Sequence, residues 1–583
     1  MGRLFASLRP YERSWVRGDL IAGLTVWAVL VPEALAYASI AGVSPVVGLY
    51  AAPGALILYA ALGSSRQLVV GPMAATAALS AATVASFAPV GSSRFVALTA
   101  GLAITTGLSA LLAGLLRLGF LASFISEPVL KGFIVGLALT IIIGQVPKLF
   151  GIEKGGGDFF AQLWSVITHL GDTHGLTLLV GAASLALIVL LRRFTPAIPG
   201  SLVAVFLGIA AVKLFHLNHH GLEIVGPIKS GLPSFGVPDL HASDLGLLAA
   251  GGIGVMLVGF AEGLGAAKTY AAREHQQIDA NRELLGLGGA NLASALSSGM
   301  VVNGSLSKTA VNGSAGARSQ LSGLIVAALT VVTLLALTGL FEDLPEATLA
   351  AIVIAAVVEL VDIPALVCMY RVYSERLGRE FGFVARPDFI AAIAALLGVT
   401  VFDTLPGLFI GIGISLLLLI YRASRPYVAT LGRTPGEDGH YRDLERHPDA
   451  QVPPHVAVLR VESGLYFANA DPVRTHILQA AQSDDVRAIV LDAETIPFID
   501  ITAARMLADL ADELDQRGVP LLVARDVGQV RDVMSHVADN PALKAVYPTV
   551  QAAVEAAGRS RSRPPSDPEL RPARSCGEAH LMS

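Results

Sequence analysis

The sequence predicts an all-α membrane domain of about 14 transmembrane segments in two inverted sets of seven, followed by a C-terminal α/β domain. Three observations predict it. Apolar runs of membrane-spanning length repeat as far as Arg422-Ala423-Ser424-Arg425-Pro426, and an ordinary mixed composition follows. The 583 residues are 53% hydrophobic and 15% charged, well under the roughly 25% charge of soluble domains. Two apolar runs are broken, at Val69-Val70-Gly71-Pro72-Met73-Ala74-Ala75-Thr76 and at Asn303-Gly304-Ser305-Leu306-Ser307-Lys308-Thr309-Ala310-Val311, each as loose backbone leading into the start of a helix.

Taken in order, residues 1–18 carry Arg3, Arg9, Arg13 and Arg17 and read as a cytoplasmic segment ahead of a first span that is not a removed signal. The membrane domain covers 19–425, with spans near 19–42, 45–62, 68–88, 95–116, 123–145, 176–194, 198–216, 247–270, 283–299, 303–317, 319–341, 346–366, 387–402 and 404–421. Segments 303–317 and 387–402 are weak by hydropathy alone. With the N-terminus inside, Arg192, Arg193, Lys268, Arg273, Arg282, Arg318, Arg371, Arg376, Arg379, Arg386, Arg422 and Arg425 all fall on the cytoplasmic side. Arg94, Lys148, Lys154, Lys213 and Lys229 fall on the other. This is the positive-inside bias, and dropping one span would invert the later half and destroy it. The broken segments are the third and tenth spans, so two copies of seven fit the spacing, and an odd number of spans per copy forces opposite orientations.

A linker over 426–454 leads to an α/β domain over 455–558. Its strands are Val456-Ala457-Val458-Leu459-Arg460-Val461, Ala488-Ile489-Val490-Leu491-Asp492 and Pro520-Leu521-Leu522-Val523-Ala524, with helical periodicity over 500–517. Residues 559–583, rich in Arg, Ser and Pro, are expected to be disordered.

Several function classes drop out. There is no basic block of the kind that binds nucleic acid. Cys368 and Cys576 stand far apart and suggest neither a disulfide framework nor a metal site. His216, His219 and His220 share a loop without an acidic or cysteine partner, so no metal is expected there. No cofactor motif, nucleophile pair or nucleotide loop points to an enzyme.

What remains is a site inside the membrane. Hydrocarbon tolerates irregular backbone only where protein buries it or where it lines a cavity. One interrupted segment per half is the sequence mark of a secondary transporter's substrate site, and helix N-termini favour anions. Met73 and Ala74 should offer backbone N–H groups on one side, with Leu306, Ser307 and Lys308 on the other. The competing readings are a plain proline kink at Pro72 and a lysine snorkelling to water. Glu33, directly after Pro32 in the first span, is a carboxylate at membrane depth and so a functional candidate. Its charge repels an anionic substrate, and protonation removes the repulsion. Proton-coupled uptake with Glu33 as acceptor is therefore expected; the alternative is a permanent Glu33–Lys308 pair that only braces the core. Glu262 lies at the matching place in the second half, since 262 − 33 = 229, and is a second coupling candidate. Ala266, one turn later, supplies no oxygen for sodium, so protons are preferred to sodium.

The ordered set Asp19-Leu20-Ile21-Ala22-Gly23-Leu24-Thr25-Val26, Val31-Pro32-Glu33-Ala34-Leu35-Ala36-Tyr37-Ala38, Gly48-Leu49-Tyr50, Gly63-Ser64-Ser65-Arg66, Gly71-Pro72, Asp279-Ala280-Asn281-Arg282-Glu283-Leu284 and Gly304 to Asn312 with Ala315-Gly316-Ala317-Arg318 resembles the SulP family of anion transporters over about residues 15–425. The tail resembles the STAS domain that these proteins carry. The resemblance implies a core subdomain that holds the anion between the third and tenth helix starts, a flanking gate subdomain, elevator-type movement and a homodimer in the inner (plasma) membrane with the STAS domain cytoplasmic. The substrate it implies is a small anion, sulfate foremost, with bicarbonate and dicarboxylates as rivals and a channel as a further alternative. It also implies that Tyr37 helps wall the site, that relatives often carry Gln where Glu33 stands, and that they carry Ser-Arg where this chain has Ser307-Lys308. Pro497-Phe498-Ile499-Asp500-Ile501-Thr502-Ala503 is similar to the phosphorylated Asp-Ser-Ser-Gly stretch of anti-sigma-factor antagonists, which makes Thr502 a candidate regulatory residue although Ala503 replaces the Gly.

Overall fold

The computed structural model describes residues 4–9, 11–120, 126–195, 198–228, 230–273, 276–358, 361–371, 386–402, 404–436, 439–537 and 541–559. Arg3, Lys229, Arg376, Arg379, Cys576 and nearly all of the expected disordered tail lie outside the described residues. The chain divides into two compact units, Met1–Leu416 and Leu417–Ser583.

The first unit opens with α1 (Val16–Ile40), α2 (Pro45–Leu62), a three-residue strand β1 (Val69–Gly71), the half-length helix α3 (Ala74–Ala85) and α4 (Ser93–Leu115). Then come α5 (Glu127–Phe150), the short α6 (Phe159–Thr168), α7 (Gly175–Phe194) and α8 (Gly200–Phe215). The opening order then recurs. It runs α9 (Ala242–Arg273), α10 (Ala280–Leu296), β2 (Asn303–Ser305), half-helix α11 (Leu306–Ser314) and α12 (Leu321–Val332), the last continuing through a wider π-helical turn and a tighter 3-10 turn to Phe341. The last helices are α13 (Glu346–Val358), α14 (Ile363–Arg371), α15 (Pro387–Phe402) and α16 (Thr404–Ala423), whose residues from Leu417 onward fall in the second unit. Among the described residues, nine helices have the length and hydropathy to cross a membrane unaided.

Packing sorts these helices into two groups. Helices α1–α4 pack mainly with one another and with α9–α12, whereas α5 packs mainly on α15, α13 and α7. These are the core and gate subdomains. Close helix contact without bulky side chains sets the geometry inside each. A Cβ at Gly132 of α5 would fall 1.9 Å from the Ala392 carbonyl oxygen of α15, and one at Gly48 of α2 would fall 2.0 Å from that of Ala34 in α1.

Three features depart from the sequence expectation. Helix α6 lies where only a connection was expected, because its 10 residues are too few to register as a span. The expected span 346–366 is two helices, α13 and α14. In the second unit, the stretch expected as linker carries two strands, β3 (Val428–Arg433) and β4 (Tyr441–Asp443). Only Ala429, Leu431 and Gly432 of β3 are buried, while Thr430 and Arg433 are exposed, and a short half-polar strand near a sheet edge reads like a linker.

The remaining strands are β5 (Val456–Val461), β6 (Ala488–Asp492), β7 (Leu521–Ala524) and β8 (Val546–Tyr547). Together they form one sheet in the order β4-β3-β5-β6-β7-β8, parallel from β5 onward. Parallel strands need both faces covered. In β5, Ala457, Leu459 and Val461 pack under α17 (Ala470–Ala481) and α18 (Ile501–Gln516), while Val456 and Val458 pack with Val550 and Ala553 of α21 (Val550–Arg559). Helices α19 (Gly528–Val537) and α20 (Pro541–Lys544) complete this unit.

Candidate functional site

The two broken segments meet. Strands β1 and β2 pair antiparallel, Val69 opposite Ser305, Val70 opposite Gly304 and Gly71 opposite Asn303. The pairing satisfies backbone that hydrocarbon would otherwise leave unpaired. Each strand feeds directly into a half-helix. Met73 enters α3 in extended conformation and without a side-chain cap, so the first N–H groups from Ala74 onward lack an intrahelical acceptor. On the other side Ser305 Oγ accepts from Lys308 N at 3.3 Å, and the N–H groups of Leu306 and Ser307 lie between that cap and Lys308. Two positive helix ends therefore start from one small sheet.

The Lys308 side chain crosses this junction. It is 1% exposed, donates to the Pro72 carbonyl at 3.2 Å and lies 2.7 Å from Glu33 Oε2. That short approach is a buried ion pair, with Glu33 Oε2 itself shielded from solvent. Tyr37, one turn after Glu33, places its ring 5.0 Å below the Lys308 ammonium. Glu262 is within electrostatic reach of Lys308, and its Oε2 is also buried without a hydrogen-bond donor among the described residues. Helix α9 comes this close because Gly259 and Gly263 face Asn303, whose amide oxygen is 3.2 Å from where a Cβ on Gly263 would stand.

The structure thus gathers Glu33, Tyr37 and Lys308 around the start of α3, with Glu262 beside them. Met73 and Ala74 are buried there, whereas Leu306 and Ser307 are exposed. One cation faces two carboxylates, so the site holds a formal charge of −1 with both ionised and +1 with both protonated. Thr502 belongs to the other unit, exposed in the first turn of α18. Its neighbour Asp500 is occupied there, capping Ala503 N and accepting from Phe467 N, each at 2.8 Å.

Sequence reasoning missed the polar groups that hold the junction in place. Thr309 Oγ1 accepts from Val69 N at 3.1 Å, and Asn312 Nδ2 donates to the Gln67 carbonyl at 2.9 Å. Gln320 Nε2 donates to the carbonyls of Ser65 and Leu68 at 3.1 and 2.8 Å. Asp19 accepts from the N–H groups of Arg318 and Ser319 at 2.7 and 3.1 Å, and from Ser319 Oγ at 2.6 Å. Fully buried Glu283 accepts from Ser64 N, Ser64 Oγ, Ser65 N and the Tyr59 hydroxyl, all within 3.0 Å. The available signal was a polar side chain at or near an apolar helix end, repeated at Asp19, Glu283, Thr309, Asn312 and Gln320. Glu283→Ala should leave four donors unmet and cost about 3 kcal/mol or more. The thermal unfolding temperature of the detergent-purified protein should drop by several degrees, and an unchanged transition would refute this role.

Paired half-helices inside a two-part helical membrane unit, joined in one chain to a six-stranded α/β unit, define a multi-pass membrane transport protein with a C-terminal STAS domain. The chain belongs to the Sulfate permease family, whose profile matches residues 16–375, and the STAS domain profile matches residues 447–553. It is a transport protein and not an enzyme. It is 37% identical over 94% of its length to a "Probable sulfate transporter" of Mycobacterium tuberculosis, covering 96% of that protein. It is 31% identical to Sulfate transporter 1.3 of Arabidopsis thaliana, over 94% of this chain and 86% of that one. Its fold is similar to the murine Solute Carrier 26 family member A9 anion transporter in the inward-facing state, with a TM-score of 0.84, 23% identity and coverage of 95% of this chain and 94% of that one. It is also similar to the transmembrane domain of the cyanobacterial bicarbonate transporter BicA, with a TM-score of 0.59, 23% identity and coverage of 68% and 98%.

Proposed function

We propose that this chain is a proton-coupled secondary transporter of small anions, sulfate foremost, that carries its substrate by an elevator-type movement of the core against the gate. The observation that carries this reading is Lys308, a buried cation paired with Glu33 where the two half-helices start. An anion arriving there meets helix-end amides and one ammonium, but also the carboxylates of Glu33 and Glu262. At ~6 Å and an effective dielectric near 20, each ionised carboxylate repels each substrate charge by about 3 kcal/mol. Protonation turns that repulsion into net attraction, so proton and anion enter together. The names of the Mycobacterium and Arabidopsis relatives favour sulfate. Separate packing of core and gate suits rigid-body sliding of one past the other. The arginine and lysine bias favours an inner (plasma) membrane orientation with the N-terminus and the STAS domain both cytoplasmic.

The test uses the full chain in liposomes with an imposed pH gradient, offered sulfate, bicarbonate or fumarate. Sulfate uptake should follow an inward proton gradient and persist when sodium is replaced by an impermeant cation. Faster uptake of bicarbonate or fumarate reassigns the substrate. Uptake indifferent to the gradient but dependent on sodium overturns the coupling.

A further inference from the structure

Two short helices stand at matching places in the two halves of the membrane unit. Helix α6, of 10 residues, follows α5, the fifth span of the first set; helix α14, of 9 residues, follows α13, the fifth span of the second. Neither crosses hydrocarbon about 30 Å thick, because 10 helical residues rise only about 15 Å. Each carries one outward apolar stripe with the same spacing, i, i+4 and i+7. Phe160, Trp164 and Ile167 of α6 are 52%, 68% and 50% exposed, and Ile363, Val367 and Tyr370 of α14 are 60%, 40% and 49% exposed.

Both helices lie against the same two gate helices, at opposite ends. Helices α5 and α15 run side by side in one direction, since Gly132 meets Ala392 and, one turn on, Gly136 meets Leu396. At the start of α14, Asp362 accepts from Ala365 N at 3.0 Å and pairs with Lys131 of α5 at 2.5 Å. At its end, the Tyr370 ring meets that of Phe389, in the first turn of α15, edge-on at 5.2 Å. By the register of the glycine contacts, Phe389 stands level with Val129, only about 3 Å along the axis from the level of Lys131. Helix α14, about 13 Å long, thus joins two points at nearly one depth and lies across the pair, not along it. Helix α6 packs on α5 and α15 at the far end, with Gln162 Oε1 3.6 Å from where a Cβ on Gly144, in the last two turns of α5, would stand. Sets of seven spans have opposite orientations, so α6 meets one leaflet and α14 the other. The arginine and lysine bias makes these the outer and the inner leaflet.

We infer that α6 and α14 lie flat in the two membrane interfaces, one per leaflet, and hold the gate at a fixed depth while the core moves past it. Phospholipid is the partner this surface fits. Trp164 and Tyr370 are side chains that settle at headgroup level, with Phe160, Ile167, Ile363 and Val367 facing the acyl chains. Arg371 closes α14, and the Arg386 guanidinium lies 4.4 Å over the Tyr370 ring, so the inner helix also offers positive charge to lipid phosphate. The neighbouring span continues the surface: Leu179, Val189 and Leu190 of α7 are also apolar and exposed. The lipid contact follows from the geometry, whereas the anchoring role rests on the reading of core and gate as sliding bodies.

The experiment places a nitroxide at Ile167→Cys or Val367→Cys in the full chain, with Cys368→Ser and Cys576→Ser, in vesicles of phosphatidylcholine and phosphatidylglycerol. Relaxation by oxygen, which concentrates in lipid, should exceed relaxation by a water-soluble nickel chelate and set both labels about 5–10 Å below the phosphates. A label relaxed more by the chelate lies in water, and one shielded from both reagents lies under protein; either result at either helix overturns the inference. Per molecule of folded protein, Trp164→Asp and Val367→Asp should each lower the maximal rate of sulfate uptake about fivefold with KM within about twofold, while Trp164→Phe and Val367→Leu keep the wild-type rate. Unchanged rates in both aspartate variants overturn the anchoring role. A wild type with both labels in lipid but no anion uptake overturns the transporter reading and leaves the lipid contact standing.

Discussion

Lys308→Gln is expected to lower anion uptake by about two orders of magnitude, because the site loses about 2.7 kcal/mol or more of charge attraction to its substrate. Lys308 lies 2.7 Å from Glu33, and its side chain is 1% exposed. Breaking a buried pair on one side leaves an uncompensated charge and typically destabilises a protein by about 3–5 kcal/mol. Lost uptake in the single variant could therefore reflect lost folding. The double variant Lys308→Gln with Glu33→Gln separates the two. Both partners are then neutral, so the unfolding temperature should recover toward that of the wild type. Uptake should not recover, because the cation that meets the anion is still missing. If uptake returns along with stability, the pair only braces the core, and the anion is held by helix-end amides alone.

The site was legible in the sequence to the extent that its parts are improbable in hydrocarbon. Gly71-Pro72 and Asn303-Gly304 interrupt apolar runs, and Glu33, Glu262 and Lys308 are charges inside them, so each is visible without knowledge of its partners. Their meeting was not visible from any local pattern. It depends on the pairing of β1 with β2 across more than two hundred residues, and three-residue strands have no periodicity to read. The braces at Asp19 and Glu283 were hidden for the same reason. Both stood within motifs quoted for the family resemblance, yet their donors come from Arg318, Ser319, Ser64 and Ser65, far along the chain. In the STAS unit, strands β5–β7 and helix α18 stood out because burial on the sheet leaves continuous apolar runs and packing against it leaves a helical stripe. Strands β3 and β4 did not, because they are short and exposed Thr430, Arg433 and Arg442 break their apolar pattern.

Glu33→Gln is expected to abolish the rise of uptake on acidification. On the proposed coupling, an ionised Glu33 paired with Lys308 keeps the anion from the ammonium, so uptake should grow as the pH falls. Glutamine has nearly the shape of the protonated acid but holds the neutral state at every pH. The variant should therefore take up anion at alkaline pH at about the rate the wild type reaches only in acid. It should also lose accumulation driven by an inward proton gradient while keeping exchange of internal for external anion. Glu262 shares the site, and Glu262→Gln in the same assay assigns any slope that Glu33→Gln leaves behind. The sign separates coupling from simple charge removal. A variant faster at all pH values but still gradient-driven means that the proton travels on Glu262. A variant with the full wild-type pH profile removes Glu33 from the coupling and returns it to the role of a counter-ion for Lys308.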